Sequence, residues 1–392
     1  MQFKRKIMTV LKQRLEQFPV VVLTGPRQSG KTTLLEQFNQ QYDYINLESP
    51  DELERLQMDP RGLLNRRSKH GLIIDEAQKY PDVFSYIQTI TDNNKKKGEF
   101  ILSGSQNFLL NQQIRQSLAG RTALLELLPL TYDEYLTHQN MQSLDVWAWL
   151  FQGGYPRPYQ DDIPAQVWMD IYIRTYLERD VRDLLQVKDL NLFQKFIRLC
   201  AGRHGQIFNA SQVAIDCGIS HTTVLHWLSI LEASYIIFRL QPYHSNFNKR
   251  LVKTPKLYFY DSGLVCYLLG ITSPDQLSIH AMRGAIFEGY VISEIKKNMF
   301  NRAEPGTLYF WRDSNGVEVD CIFESKGKVR AIEIKSTTTI RKDLFKHLQT
   351  WQKISNTPAN SCCLVYAGDN IDELLSMHIV PWSSIDKIES LL

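Results

Sequence analysis

A chain of 392 residues is too long for one ordinary core and favours two or three domains. Charged residues make up 22% and hydrophobic ones 43%, which excludes a disordered or fibrous chain, while a net charge of +3 neither demands nor excludes a nucleic-acid partner. The six cysteines (Cys200, Cys217, Cys266, Cys321, Cys362, Cys363) form no CxxC pair and no zinc-type spacing with histidine, which argues against a disulfide scaffold.

Near the start, Lys4-Arg5-Lys6 has the charge of a signal-peptide leader, but Lys12, Gln13, Arg14 and Glu16 interrupt any apolar segment. No later run approaches the length needed to span a bilayer, so the expectation is a cytoplasmic protein with no membrane partner. Residues 1–140 then alternate helical stretches with the apolar runs "VVVLTG", "YDYINLE", "GLIIDEA", "EFILSGS" and "ALLELLPL". Such alternation predicts an α/β domain with a mainly parallel sheet.

After the first of these strands, Gly25-Pro26-Arg27-Gln28-Ser29-Gly30-Lys31-Thr32 fits GxxxxGK[ST], the Walker A phosphate loop, without deviation. The residue types follow from the task. Glycines let backbone N–H groups close around phosphate, Lys31 reaches the β- and γ-phosphates, and Thr32 places its hydroxyl on Mg²⁺. Thr32 and Thr33 open the helix "TTLLEQF", whose N-terminus favours the anion and adds Thr33 to the residues expected around the nucleotide. ATP and Mg²⁺ are therefore the expected cofactors.

"GLIIDEAQ" ends its strand with Asp75-Glu76. The first acid suits Mg²⁺, and the second suits an attacking water. Ser103-Gly104-Ser105 closes the next strand, and Ser105 is read either as a γ-phosphate sensor or as part of a capped turn. Further on, Arg121 is a candidate arginine finger acting on a neighbouring subunit, with Arg115 as its competitor and a solvated surface arginine as the plain alternative.

Residues 141–250 read as helical, with the aromatic-rich part broken at Gly153, Gly154, Pro156 and Pro158. Asn209 and Ser220 are candidate helix caps, and Val224, Trp227, Leu228 and Leu231 carry the spacing of one buried helix face. With "SYIIFRLQPY" as a strand, this is a winged helix-turn-helix pattern. Its recognition-helix position, Ser220 to Ser234, holds His221, Thr222 and His226 but no lysine or arginine, so contact with protein is as well supported as contact with DNA. Lys249-Arg250, Lys253 and Lys256 are the better basic candidates there.

Residues 251–392 return to mixed α/β. In "VEVDCIFESKGKVRAIEIK", two alternating strands flank Lys326-Gly327 as a tight turn. That turn sets Ser325 opposite Lys328 and Asp320 opposite Glu333, with Lys335 on the same face. Directly opposed carboxylates repel.

The phosphate loop, "IIDEAQ", "LSGSQNFLL", "LAGRTALLELLPLTYDEY", "GGYP", "YLERDVRDL", "DSGL", "RGAIFEGYVISEI" and "EVDCIF…AIEIK" together resemble bacterial and archaeal AAA+ type ATP-binding proteins whose C-terminal region is uncharacterised. The resemblance implies an AAA+ P-loop ATPase domain, a winged helix, and a restriction-endonuclease-like fold of the PD-(D/E)xK type. In that pattern Asp320 matches the first acid, Glu333-Ile334-Lys335 the ExK segment, and Glu288 an additional upstream acid. The opposed acids then have a use, since Glu288, Asp320 and Glu333 can share Mg²⁺ while Lys335 serves the attacking water. The alternative is a surface hairpin whose acids are neutralised by Lys335 and a neighbouring base.

The expected function is an ATPase that couples ATP hydrolysis to a nuclease-like module acting on nucleic acid. Its rival is an ATP-controlled switch or scaffold whose C-terminal domain only binds. Beyond ATP, the candidate partners are DNA or RNA and further copies of the chain in an AAA+ type ring.

Overall fold

The structure is a computed structural model that describes residues 3–38, 40–105, 117–138, 141–177, 190–243 and 254–388. Arg115, Lys249, Arg250, Lys253 and the charged part of "YLERDVRDL" lie outside the described residues. The chain divides into two compact units, one of Met1–Pro129 with residues 233–235 and 300–303, the other of the remaining residues.

The first unit is built on five strands: β1 (Val20–Thr24), β2 (Asp43–Asn46), β3 (Leu72–Asp75), β4 (Phe100–Gly104) and β5 (Thr122–Glu126). They pair in the order β2-β3-β4-β1-β5, all parallel. Both faces are covered, which is why the central strands read as continuous apolar runs. The two-residue period then sorts each strand between two cores. Val20, Val22, Leu72, Ile74, Phe100 and Leu102 pack with Phe84 and Ile87 of helix Val83–Asn94. Val21, Leu23, Ile73, Ile101 and Leu125 pack with Ile7 and Leu11 of helix Ile7–Gln17. Each such side chain contributes roughly 1.5–3 kcal/mol on burial. The phosphate loop leaves the C-terminal end of β1, between β4 and β5, where open parallel sheets bind ligands.

The second unit begins with helices and ends in a mixed sheet. Its strands are β6 (Gln206–Ile207), β7 (Ile237–Pro242), β8 (Lys256–Phe259), β9 (Thr307–Arg312), β10 (Glu318–Ser325), β11 (Lys328–Lys335), β12 (Cys362–Tyr366), β13 (Asp372–Leu374) and β14 (Met377–Pro381). They form one sheet in the order β13-β14-β12-β11-β10-β9-β7-β8-β6. A short parallel pairing, Gln241 with Tyr309 and Pro242 with Phe310, joins the strands of the helical middle to those of the C-terminal region. Helices Leu190–Ala201, Ala210–Cys217 and His221–Ala233 precede β7. Asn209 accepts from Gln212 N at 3.1 Å and Ser220 Oγ from Thr223 N at 3.0 Å, capping the second and third of them. Val224, Trp227, Leu228 and Leu231 are all buried. So are the six cysteines, each a free thiol. No helix among the described residues is long and apolar enough to cross a membrane.

The β10–β11 hairpin turns at Lys326 and Gly327, with φ of 52° and 75°. Positive φ at both central residues suits the twist of a two-residue hairpin. The ladder runs from Ser325 opposite Lys328 to Cys321 opposite Ile332, one step short of Asp320 and Glu333. On its other edge, β10 slips register against β9 between Val319 and Ile322. This irregularity contains Asp320, and such bulges re-aim side chains.

Candidate functional sites

At the phosphate loop, Gly25 has φ of 150°, and an added Cβ there would lie 2.1 Å from Leu127 O. Glycine alone fits. Gly30, at φ 94°, leads into helix Lys31–Leu35, with Thr33 half-buried in its first turn. Lys31 is buried, and its Nζ donates to Gly25 O at 3.0 Å and Pro26 O at 2.8 Å, so the ammonium lies folded over the loop. Arg5 braces the loop by donating to Ser29 O at 2.7 Å and Leu128 O at 2.6 Å. Its place in a basic triplet near the chain start gave no signal of this role. Arg27 pairs with Glu48 at 3.5 Å, and Gln28 takes a positive φ of 62°.

Asp75 collects neutral donors. Its Oδ2 accepts from Thr32 Oγ1 at 2.8 Å and Tyr44 OH at 2.7 Å, and its Oδ1 accepts from Glu76 N at 3.1 Å and from Ser103 Oγ. Burial and then the Asp75 charge raise the Tyr44 phenol well above its ordinary value, so it stays a donor. Tyr44 stands on β2 next to β3, a neighbour only sheet order could supply. Glu76, at φ 53°, accepts on Oε2 from Gln78 Nε2 and, at 3.3 Å, from Ser105 Oγ. Inside the loop, the buried Ser29 Oγ has no hydrogen-bond partner among the described residues, a spare hydroxyl of the kind that can donate to a phosphate oxygen. Together with the Thr32–Asp75 oxygen pair, it fits a nucleotide with a hard divalent cation.

Arg121 lies just before β5, whose Thr122 is level with Val20, the end of β1 away from the loop. Its guanidinium forks onto Asp92, at 2.6 and 3.0 Å.

The second unit gathers acids around Asp320. One oxygen each from Glu288 on helix Arg283–Arg302 and from Glu318 and Asp320 on β10 lie within 4.8 Å of one another. Glu318 was missed, although two-residue spacing puts it on the same strand face as Asp320. Among these acids stands Lys256. Its Nζ donates to Glu288 Oε1 at 3.0 Å and to Glu318 Oε1, and Tyr258 OH also donates to Glu288 Oε1. Read from sequence as a basic candidate for nucleic-acid contact, Lys256 is instead buried, its side chain 4% exposed. Burial alone would lower its pKa, but Glu288, Glu318 and Asp320 reverse that and hold it above the ordinary lysine value. Burial raises Glu288, against the pull of Lys256.

On the other side of Asp320, Lys335 Nζ reaches Glu333 Oε1 at 2.6 Å and Asp320 Oδ2 at 3.4 Å. Asp320 Oδ2 also accepts from Ile334 N at 2.8 Å. His347 Nδ1 lies 3.1 Å from Glu333 Oε1. Burial and then Asp320 raise Glu333, with His347 and Lys335 opposing. The structure thus brings Glu288, Asp320, Glu333 and Lys335 into one neighbourhood. It places Glu333 with Lys335 and His347, while Glu318 completes the group of three carboxylates. The oxygen donors suit a hard divalent cation, and Glu333 Oε2 is buried with no hydrogen-bond partner among the described residues.

An AAA domain model matches residues 17–136, and two domains of unknown function, DUF8612 and DUF4143, match residues 143–275 and 283–385. The chain is 33% identical over 334 residues to the uncharacterized protein Rv2008c of Mycobacterium tuberculosis, covering 84% of this chain and 73% of that one. It is 24% identical over 347 residues to the uncharacterized protein MJ1544 of Methanocaldococcus jannaschii, covering 79% and 73% respectively. Among solved structures, the Walker-type ATPase PABY2304 of Pyrococcus abyssi is similar with a TM-score of 0.47 at 17% identity, covering 68% of this chain and 96% of that one.

Proposed function

The chain belongs to the family of Rv2008c, with an AAA-type P-loop ATPase domain at its N-terminal end, and from that premise we propose an ATP-hydrolysing enzyme that drives or gates a nuclease-like module acting on nucleic acid. One observation carries the ATPase part: Lys31, Thr32, Asp75 and Glu76 converge at the C-terminal edge of a parallel sheet. Lys31 would leave the Gly25 and Pro26 carbonyls for the phosphates. Thr32 and Asp75 would hold Mg²⁺, which supplies charge neutralisation at the transferred phosphoryl group. Glu76, steadied by Gln78 and Ser105, would take the proton of the attacking water at its carboxylate. Ser105 is then a route by which the γ-phosphate position reaches Glu76. Arg121 could act on a neighbouring subunit in a ring only by leaving Asp92.

For the second unit, the restriction-endonuclease-like reading is supported by Asp320, Glu333 and Lys335 meeting at one hairpin end. Glu288, Glu318 and Asp320 would hold the divalent cation, which supplies activation of water and phosphate, while Lys335 orients the water from the Glu333 side. The order helix, β6, helix, helix, β7, β8, with β8 between β6 and β7, supports a winged helix within residues 190–259. A second reading, an ATP-controlled switch whose acid site only binds or only stabilises, is favoured by Lys256, which already satisfies two of the three acids. Divalent-dependent cleavage of DNA and RNA substrates with and without ATP separates the two. The nuclease reading requires cleavage by the wild type that Asp320→Asn loses while keeping its ATP hydrolysis. Intact ATP turnover with no cleavage of any substrate would overturn it and leave the switch.

A further inference from the structure

We propose that Lys256 is an internal counter-cation for the acid site, so that its ammonium and a divalent cation exclude one another there. The inference rests on the reading of Glu288, Glu318 and Asp320 as metal ligands, and it assigns their control to a residue outside that set.

The geometry is that of a cation already in place. Three carboxylates offer oxygens within 4.8 Å of one another, and Lys256 Nζ is within hydrogen-bond reach of two of them. An ammonium has three donors and no acceptor, so it satisfies oxygens as a small cation does. The root of the side chain is fixed, because Lys256 lies in the central strand of a three-strand group, level with Leu240 on β7 and Ile207 on β6. Phe310 adds its ring face, 5.4 Å from Nζ, a further contact that favours a cation. Arg312, by contrast, reaches Glu318 from a 41% exposed position at 3.5 Å and can swing into water.

Lys256 has no such exit, being 4% exposed. A divalent cation bound by the same oxygens would meet the ammonium at short range in a poorly solvated place, where like charges repel strongly. Entry of metal therefore requires Nζ to let go of Glu288 and Glu318. Removing Lys256 takes the shared ammonium from Glu288 and Glu318 and leaves their buried charge under-compensated, so that a metal ion becomes a better partner for them.

The test is Mn²⁺ binding to the full chain without nucleotide, counting only the binding that Asp320→Asn removes. Lys256→Met should bind Mn²⁺ roughly tenfold more tightly or better than the wild type, and Lys256→Arg, which keeps the cation, should bind as weakly as the wild type. Thermal unfolding guards against a variant that merely folds poorly: Lys256→Met should melt lower than the wild type without metal and be raised by Mn²⁺ by more. Equal affinity of wild type and Lys256→Met overturns the role of Lys256 while leaving the acids as ligands. A Lys256→Met protein that melts low and is not raised by Mn²⁺ overturns it too. If Mn²⁺ binds neither protein in an Asp320-dependent way, the ligand reading falls and the inference with it.

Discussion

Asp75 and Asp320 each stand on an apolar strand among several polar side chains, but their surroundings differ in charge. Around Asp75 the side-chain donors are the hydroxyls of Thr32, Tyr44 and Ser103. Around Asp320 and the acids beside it the donors include Lys256, Lys335 and His347. Hydroxyls fix a carboxylate's geometry and leave its charge in place for a metal ion. Ammonium groups cancel that charge. The first centre therefore keeps its charge free, whereas the second already holds internal cations and, on the reading proposed above, would give one up to take a metal ion.

The largest expected effects fall on the first centre. Lys31→Ala should lower nucleotide affinity by about 10²-fold or more, because the loop loses the buried ammonium that would reach the phosphates, as titration with a fluorescent nucleotide would read. Glu76→Gln should bind ATP normally and lose turnover by about 10²-fold. Wild-type hydrolysis by Glu76→Gln would take that residue out of the mechanism and weaken the contrast, since a bystander carboxylate needs no careful positioning.

Charge-removing substitutions sharpen the comparison directly. Asp75→Asn leaves hydroxyls that can rotate to donate or accept, so the loss of stability should stay near 1 kcal/mol. Lys335→Met leaves Glu333 and Asp320 without the ammonium they share. Breaking a fully buried pair costs about 3–5 kcal/mol. Lys335 is 33% exposed, so about 2–3 kcal/mol is expected here. Denaturant titration of the two variants, each against the wild type, tests this. Equal losses would mean that the kind of donor does not matter.

The first centre was also the more legible in sequence. Gly25 to Thr32 and Leu72 to Glu76 are contiguous, and each strand announces itself by an apolar run, so motif and local structure coincide. The β10–β11 turn was legible for the same reason: Lys326-Gly327 settles the register within a few residues. Tyr44, Arg5, Glu318 and Lys256 were not legible as site residues. Tyr44 meets Asp75 only because β2 pairs with β3. Lys256 meets Glu318 across 62 residues of sequence. Its short strand "KLYF" carries no pattern that separates a buried lysine from a solvated one. The pairing of β7 with β9, which joins the helical middle to the C-terminal sheet, spans only two residue pairs and leaves no periodic trace.

Tyr44→Phe probes the hydroxyl shell more gently. Asp75 would keep Thr32 and Ser103 but lose the donor from β2, so the carboxylate gains freedom while the phosphate loop stays whole. Turnover should fall severalfold, about 3–10-fold, with nucleotide affinity nearly unchanged, since the lost contact serves the metal side and not phosphate binding. A loss of affinity without loss of turnover would place Tyr44 with the loop instead.

The smallest effect belongs to His347, which brings pH into the second centre alone. Its hydrogen bond to Glu333 raises its pKa above the ordinary value of 6.5, burial opposing, with the Glu333 charge adding to the rise. A histidine raised in the folded state contributes stability that is fully present below the unfolded value, near 6.5, and is lost as pH rises through the folded one. The side chain is 44% exposed, so solvent screening limits the gain to well under about 1 kcal/mol. The stability difference between the wild type and His347→Gln should therefore be greatest below about pH 6.5 and shrink steadily above it. Thermal unfolding of both proteins across pH 5.5 to 8.5, from about one unit below that value to about two units above it, would show this. A difference that grows with pH would mean that Glu333 is held by a neutral imidazole, and that His347 belongs with the hydroxyl-type donors of the first centre.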